Sequence, residues 1–445
     1  MQNRRFQHAL ITLVILCAII TVFMFINLPF SRPKEQQIIW FISTQPAPTQ
    51  SPTVVWPMKL GNSRPPYELQ LDAVISSNTT VADLSTVDGN LVLGEHVSSI
   101  PLTYMDLANI PDNLWRQPHH PSIFFAYPQA FNLNQIYDNL LQHKPIPQLP
   151  VNGHVFRYPV LSRDVCHPDN PASQLFDLVV VVRSALANFK RREEFRKLYS
   201  SFTNRNANAS MGMRIGLVFS MGLPRSQQDN LFRRGNILLR LYSSGGAQLT
   251  PEGLRATAAN FEVERANYSD LVVGDYEDTY FNLTTKTIYS FQWAAAFCRT
   301  SRPILLFIDD DLPISMEEIS HTISILPSAA RAGLYHGKIL SNIPVRRFAP
   351  WGFNKWSVQK FEVPWTVYPT YTSGAFLLVG FPQVERLAIG MLFTQAFPIE
   401  DAYTGVVAAR IGLRPSSMYE LVRPEGVLTR RPHNLESVEQ FLSRF

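Results

Sequence analysis

The chain has 445 residues, 46% hydrophobic and 17% charged, which supports one large domain or two smaller ones with a sizeable core. Its net charge of +5 is modest, and no block of Lys and Arg is interleaved with aromatics, so nucleic acid is excluded as the expected partner. Only three cysteines occur, and no Cys or His cluster has the spacing of a zinc site.

Residues 1–8 carry Arg4 and Arg5 and read as a short tail. Residues 9–28 are uncharged and mostly apolar, and at helical rise they reach about 30 Å, the hydrocarbon thickness of a bilayer. The stretch is longer than a signal-peptide core and ends without small residues at a cleavage position, so an uncleaved anchor is expected. The tail arginines favour a cytoplasmic N-terminus, while Arg32 and Lys34 on the other flank weaken that bias. From 29 to 150 proline recurs, as at Pro46, Pro48, Pro52, Pro118 and Pro121. Proline lacks an amide donor and resists both helix interiors and central strands, so this region reads as a stem, with 101–150 left unplaced.

Order is expected from about Val155, in a domain spanning 151–445. The run 177–182 is rich in valine and continuous, the pattern of a strand covered on both faces. A helix is expected over 189–199, a second strand over 214–219, a shorter one at 271–273 and a helix over 285–297. The apolar run 303–308 then ends in Asp309, Asp310 and Asp311. Strands alternating with helices predict an α/β fold with a mostly parallel sheet, whose ligands bind beyond the carboxyl ends of the strands. The aspartates lie at such an end.

Successive side chains of an extended segment alternate faces, so Asp309 and Asp311 can share a side while Asp310 points back. Two hard oxygen ligands suit Mn²⁺ or Mg²⁺ with positions left for substrate phosphates. An acidic turn capping a following helix is the alternative. Four Asn-x-Ser/Thr triplets, at Asn78, Asn208, Asn267 and Asn282, fit N-glycosylation, and Cys166 and Cys298 can form one bridge in an oxidising lumen.

From Val155 to Gly412 the chain resembles the inverting β-1,3-glycosyltransferase family of galactosyl- and N-acetylglucosaminyltransferases. The resemblance is carried in order by Val182-Arg183-Ser184 with the Arg-rich segment 188–196, by 275–287 (DYEDTYFNLTTKT), by Trp293 to Cys298, and by the aspartate triplet. Pro344-Val345-Arg346 with Lys355-Trp356, then 368–374 (YPTYTSG) and 400–405 (EDAYTG), complete it. It implies a GT-A type, Rossmann-like lumenal domain behind a single N-terminal transmembrane helix and stem. The protein would be a single-pass type II Golgi membrane protein using a UDP-sugar donor and a glycan acceptor, with Mn²⁺ or Mg²⁺; a homo-oligomer stays open. Departures are Thr372 for a frequent Cys, Ile308 before the triplet, Leu198-Tyr199 in the first helix, and no matched histidine, His433 not aligning. They motivate an alternative, a catalytically inactive lumenal glycan-binding or chaperone-like protein of the same fold.

The resemblance assigns residue roles. Asp309 and Asp311 would hold the metal, and Asp310, Arg192, Arg196 and Lys286 would bind the donor, the two arginines having a solvated helix face as their alternative. Asp401 would be the base for the acceptor hydroxyl with Glu400 as fallback, although both acids also suit a helix N-terminus. Trp356, Tyr371 and Gly374 would line the acceptor or sugar cleft, with Tyr368 and Trp351 nearby, against the alternatives of core packing and a left-handed glycine turn.

Overall fold

The computed structural model describes residues 155–205, 212–225, 250–312, 316–348 and 356–418, with shorter segments at 231–240 and between 41 and 153. The expected anchor at 9–28, Asn78, Asn208, Trp351 and His433 lie outside the described residues. Among the described residues no helix is long and apolar enough to cross a membrane.

A seven-stranded sheet organises the fold. Its strands are β1 (Leu178–Arg183), β2 (Ile215–Leu223), β3 (Leu271–Glu277), β4 (Ile304–Asp309), β5 (Tyr335–Leu340), β6 (Tyr371–Val379) and β7 (Ser416–Ser417). The spatial order is β3-β2-β1-β4-β6-β5-β7. β1 to β4 are mutually parallel, and β6 is antiparallel to both β4 and β5. β1 lies inside this sheet with Leu178 to Val182 at 0–2% exposure. Its β-branched side chains suit a pleat packed on both faces, and each contributes about 1.5–3 kcal/mol on burial.

Helices α1 (Phe189–Arg205), α2 (Pro251–Asn267), α3 (Leu283–Phe297), α4 (Met316–Ile325), α5 (Phe381–Leu392) and α6 (Glu400–Arg410) complete the unit. Thr250 caps α2, its hydroxyl accepting from Gly253 N at 3.1 Å, and Pro251 opens the helix where no amide donor is needed. α3 packs against α5 and α6 and buries most of its length, including Trp293 and Phe291, the latter stacked on Phe307 of β4. A disulfide joins Cys298, at the end of α3, to Cys166 ahead of β1.

Pieces of the expected stem belong to this same folded unit. Thr53–Val55 pairs antiparallel with Val155–Arg157, and Val54 is buried. Phe124 and Tyr127 meet the Trp365 ring edge-on at centroid distances of 5.1 and 4.9 Å. A helix, Leu133–Leu141, is capped by Asn132 and packs on α5, where Arg386 Nη2 donates to Asn134 Oδ1 at 2.8 Å. Contacts from 52 to 146 thus precede the expected domain start at 151.

The strand order reverses between β1 and β4. From β1 the chain crosses to β2 on one side, and β4 lies on the other, so the loops leaving the two strands diverge and open a crevice. Register then fixes what lines it. β1 and β4 pair from Ile304↔Leu178 to Asp309↔Arg183, which sets Arg183 beside Asp309 at the rim. β6 pairs with β4 only as far as Ile308↔Phe376, so Tyr371 to Gly374 run on past the end of β4 along the crevice.

Candidate active site

The three aspartates have three different environments. Asp310 is 5% exposed and turned into the loop after β1. Its carboxylate accepts from Ser184 Oγ at 2.7 Å, Asn188 Nδ2 at 2.7 Å and Arg191 Nη1 at 3.0 Å. Asp309 gives one oxygen to Arg183 Nη2 at 2.8 Å and keeps a 39% exposed side chain. Asp311 is 65% exposed, with Arg191 at 3.8 Å. Burial pushes the Asp311 carboxyl up, and the charge of Asp309 adds to that. Among the described residues no three His, Cys, Asp or Glu side chains form a metal cage. Asp309 and Asp311 are the exposed carboxylates of the triplet, and hard oxygen ligands of this kind would suit a cation of the Mg²⁺ type.

Asp310 was expected to contact the donor; its oxygens are instead taken up within the protein. The same correction applies to three cations. Arg192 is fully buried, with every N–H engaged by Glu264, Ser184 Oγ, Ala185 O and Leu186 O. Arg196 forks onto Asp270 at 2.8 Å and reaches Glu264 at 2.8 Å. Neither arginine lies on a solvated helix face. Lys286 is 2% exposed and bridges Asp278 Oδ1 at 2.9 Å and Ser184 O at 2.6 Å. Arg192 and Lys286 hold the loop after β1, and Arg196 holds Glu264, the partner of Arg192. Arg191, one residue from Arg192 and about 100° round α1, is the arginine that faces the aspartates.

A second acidic pair closes the crevice. Glu400 and Asp401 open α6. Asp401 Oδ1 accepts from Ala402 N at 2.7 Å and Oδ2 from Gly374 N at 3.4 Å. Burial raises Asp401, and the two backbone donors offset part of that rise. Burial also raises Glu400, to about 7, with the charges of Asp401 and Asp309 adding and Arg183 opposing. Arg183 is pulled down by burial, but Asp309, Glu400 and Asp401 outweigh it and hold the guanidinium above its ordinary value. Burial pushes Tyr280 up to about 12, and the charges of Glu400, Asp401 and Asp309 add to that. Tyr371 is raised by burial and then by Asp401 and Glu400.

Gly374 lies in β6, not in a left-handed turn. A Cβ there would stand 3.1 Å from Glu400 Oε1 and 3.3 Å from Asp401 Cβ. Gly374→Ala is therefore expected to displace the acidic pair by a few tenths of an ångström and lower kcat about tenfold, less than the ~100-fold of a 1 Å misplacement, with little change in Tm. Steady-state kinetics beside a thermal melt checks it.

Other expected site residues fall elsewhere. Tyr368 is 4% exposed and stacked on Phe397. Trp356 is 46% exposed beneath Arg346, whose Cζ lies 5.3 Å from the ring centroid. Asn267 is exposed at the end of α2. Asn282 donates its amide to Glu277 O at 2.8 Å, and the Thr284 of its triplet is buried against Phe397 O, so this sequon is built into the fold.

Residues 253–419, which hold β3 to β7 and both acidic pairs, match the family model described as Galactosyltransferase. Over these residues the chain is similar to that family. The relatives agree with it. The chain is 26% identical to human UDP-GlcNAc:betaGal beta-1,3-N-acetylglucosaminyltransferase 9, over 58% of this chain and 59% of that protein. It is 27% identical to human acetylgalactosaminyl-O-glycosyl-glycoprotein beta-1,3-N-acetylglucosaminyltransferase, over 56% of each. It is 21% identical to mouse beta-1,3-galactosyltransferase 1, over 60% of this chain and 68% of the relative. The similarity thus spans under three fifths of the length of the first two. Arg191 and Arg183, which lie ahead of the matched residues, were missed as site residues. Only the pairing of β1 with β4 sets Arg183 beside Asp309, and only the turn of α1 brings Arg191 to Asp310.

Proposed function

We propose that this protein is a β-1,3-glycosyltransferase that moves galactose or N-acetylglucosamine from a UDP-sugar to a glycan hydroxyl with inversion. It would do so in the Golgi lumen, on a GT-A type domain tethered by a type II anchor at 9–28. The observation that carries the reading is the meeting of an open carboxylate pair, Asp309 and Asp311, with a second acidic pair, Glu400 and Asp401, at the point where the strand order reverses. The names of the relatives favour the β-1,3 linkage.

In this reading Asp309 and Asp311 would hold Mn²⁺ or Mg²⁺, which would supply Lewis-acid stabilisation of the leaving group's charge. Arg191 adds a positive charge on the same side. Asp401 accepts the proton of the acceptor hydroxyl while that oxygen bonds the anomeric carbon. The bond from that carbon to the phosphate oxygen breaks, and its electron pair leaves with UDP. A single displacement inverts the centre. Burial raises both Glu400 and Asp401, and the charge of Asp401 adds to the rise of Glu400.

The test is a panel of UDP-sugars with the full-length protein in detergent, scoring UDP release and transfer. EDTA is expected to stop the reaction and Mn²⁺ to restore it, and Asp311→Ala is expected to lose at least ~100-fold, the scale of one lost charge-stabilising contact. Metal-independent turnover would remove the role given to the aspartates. Failure to bind UDP with Mn²⁺ by calorimetry would favour the inactive, glycan-binding alternative.

A further inference from the structure

The crevice contains two buried arginines used in opposite ways. Arg192 spends every donor on neighbouring groups, as a stabilising core arginine does. Arg183, with a side chain 9% exposed, does not: its buried Nε finds no partner among the described residues. Both of its hydrogen bonds come from Nη2, one to Asp309 Oδ1 and one to Gly374 O. A buried donor left unsatisfied costs stability, so stability does not explain the placement of this residue.

The two acceptors do explain it. Asp309 ends β4, and Gly374 lies in the part of β6 that overhangs β4 after their pairing stops at Ile308↔Phe376. No ladder bond joins the two strands there. The Gly374 amide on the other side of the same residue donates to Asp401 Oδ2. A continuous link therefore runs from Asp309 through Arg183 and Gly374 to Asp401.

We propose that Arg183 is a positioning residue that ties the end of β6, which has no ladder bond to β4, back to β4 and so fixes the separation between the donor-side carboxylates and the carboxylate that receives the acceptor proton. The inference rests on the transferase reading above. Group transfer is sensitive to sub-ångström placement, and a strand end paired only with β5 has no ladder bond that fixes its distance from β4.

The experiment compares wild type, Arg183→Met and Arg183→Lys in the full chain, each also in an Asp401→Asn background. Arg183→Met is expected to lower kcat about 100-fold, with KM for the UDP-sugar and Kd for UDP with Mn²⁺ changed by less than about twofold. Arg183→Lys, which keeps the charge facing Asp309, is expected to recover about tenfold of that loss and also serves if the Met chain does not fold. In the Asp401→Asn background either change is expected to cost less than about twofold, because the group being positioned is gone. Equal losses in both backgrounds, or a loss expressed in UDP affinity, would overturn the proposal.

A second readout needs no turnover. Hydrogen exchange at the Gly374 amide is expected to quicken in both variants at unchanged global Tm, and unaltered exchange would refute the tether. If wild type neither binds UDP nor transfers sugar, the transferase reading fails while the exchange result still decides whether Arg183 pins β6.

Discussion

Asp401→Asn is expected to lower the transfer rate by about 10²–10⁴-fold, the contribution of a positioned general base, while the fold survives. An asparagine Oδ1 can still accept from Ala402 N or Gly374 N, so the start of α6 keeps its backbone partners. The sign of the stability effect follows from the titration. Burial raises the folded-state value of Asp401 above its unfolded one, so its favourable contribution is present at low pH and is lost as pH rises through the raised folded value. Above that value the ionised carboxylate costs stability, and Asp401→Asn removes the cost. Tm of the variant is thus expected to equal or exceed that of wild type at pH 8, with the difference vanishing toward pH 4. Activity follows the same titration in the other direction. The wild-type rate is expected to climb as pH rises through the raised value of Asp401, then to level off. A pH–rate profile beside thermal melts of both proteins checks this. An Asp401→Asn protein with wild-type kcat would remove the proposed base.

Deleting residues 1–150 is expected to abolish folding of the remainder. The cut removes the strand Thr53–Val55 and the buried side chains of Trp115, Phe124, Tyr127, Leu133, Ile136, Leu140 and Ile146. At about 1.5–3 kcal/mol for each buried large side chain, the loss matches or exceeds the 5–15 kcal/mol by which whole domains are stable. It also uncovers Trp365 and breaks the ion pairs of Asp112 with Arg347 and Lys360, both at 3.0 Å. A chain beginning at residue 39 retains all of these contacts and is expected to unfold cooperatively. Near-UV circular dichroism and dye binding distinguish the two chains. A cooperative melt from 151–445 alone would show that the earlier segments only decorate the domain.

Both predictions concern features that differ in how far the primary structure reveals them. The parallel strands were legible because an apolar run buried on both faces is a local signal: 177–182, 214–219 and 303–308 correspond to β1, β2 and β4. The aspartates were legible as the end of such a run. β6 was not, because its site half, Tyr371-Thr372-Ser373-Gly374, has no apolar alternation and owes its extended form to pairing with β5. α2 was missed because its mean character is polar and its single buried acid, Glu264, gains meaning only opposite Arg192 and Arg196.

What the order of residues determined by itself is therefore the set of strands, the acidic ends that mark the crevice and the motifs shared with the galactosyltransferase family. Local hydrophobic pattern and residue type suffice for these. Only the tertiary structure decided which charges serve the crevice. Arg191 and Arg192 are neighbours in the chain, yet the rotation of α1 sends one to Asp311 and the other into the core. Arg183 meets Asp309 because two strands 126 residues apart pair in one register, and a register is set by the whole sheet, not by either strand alone.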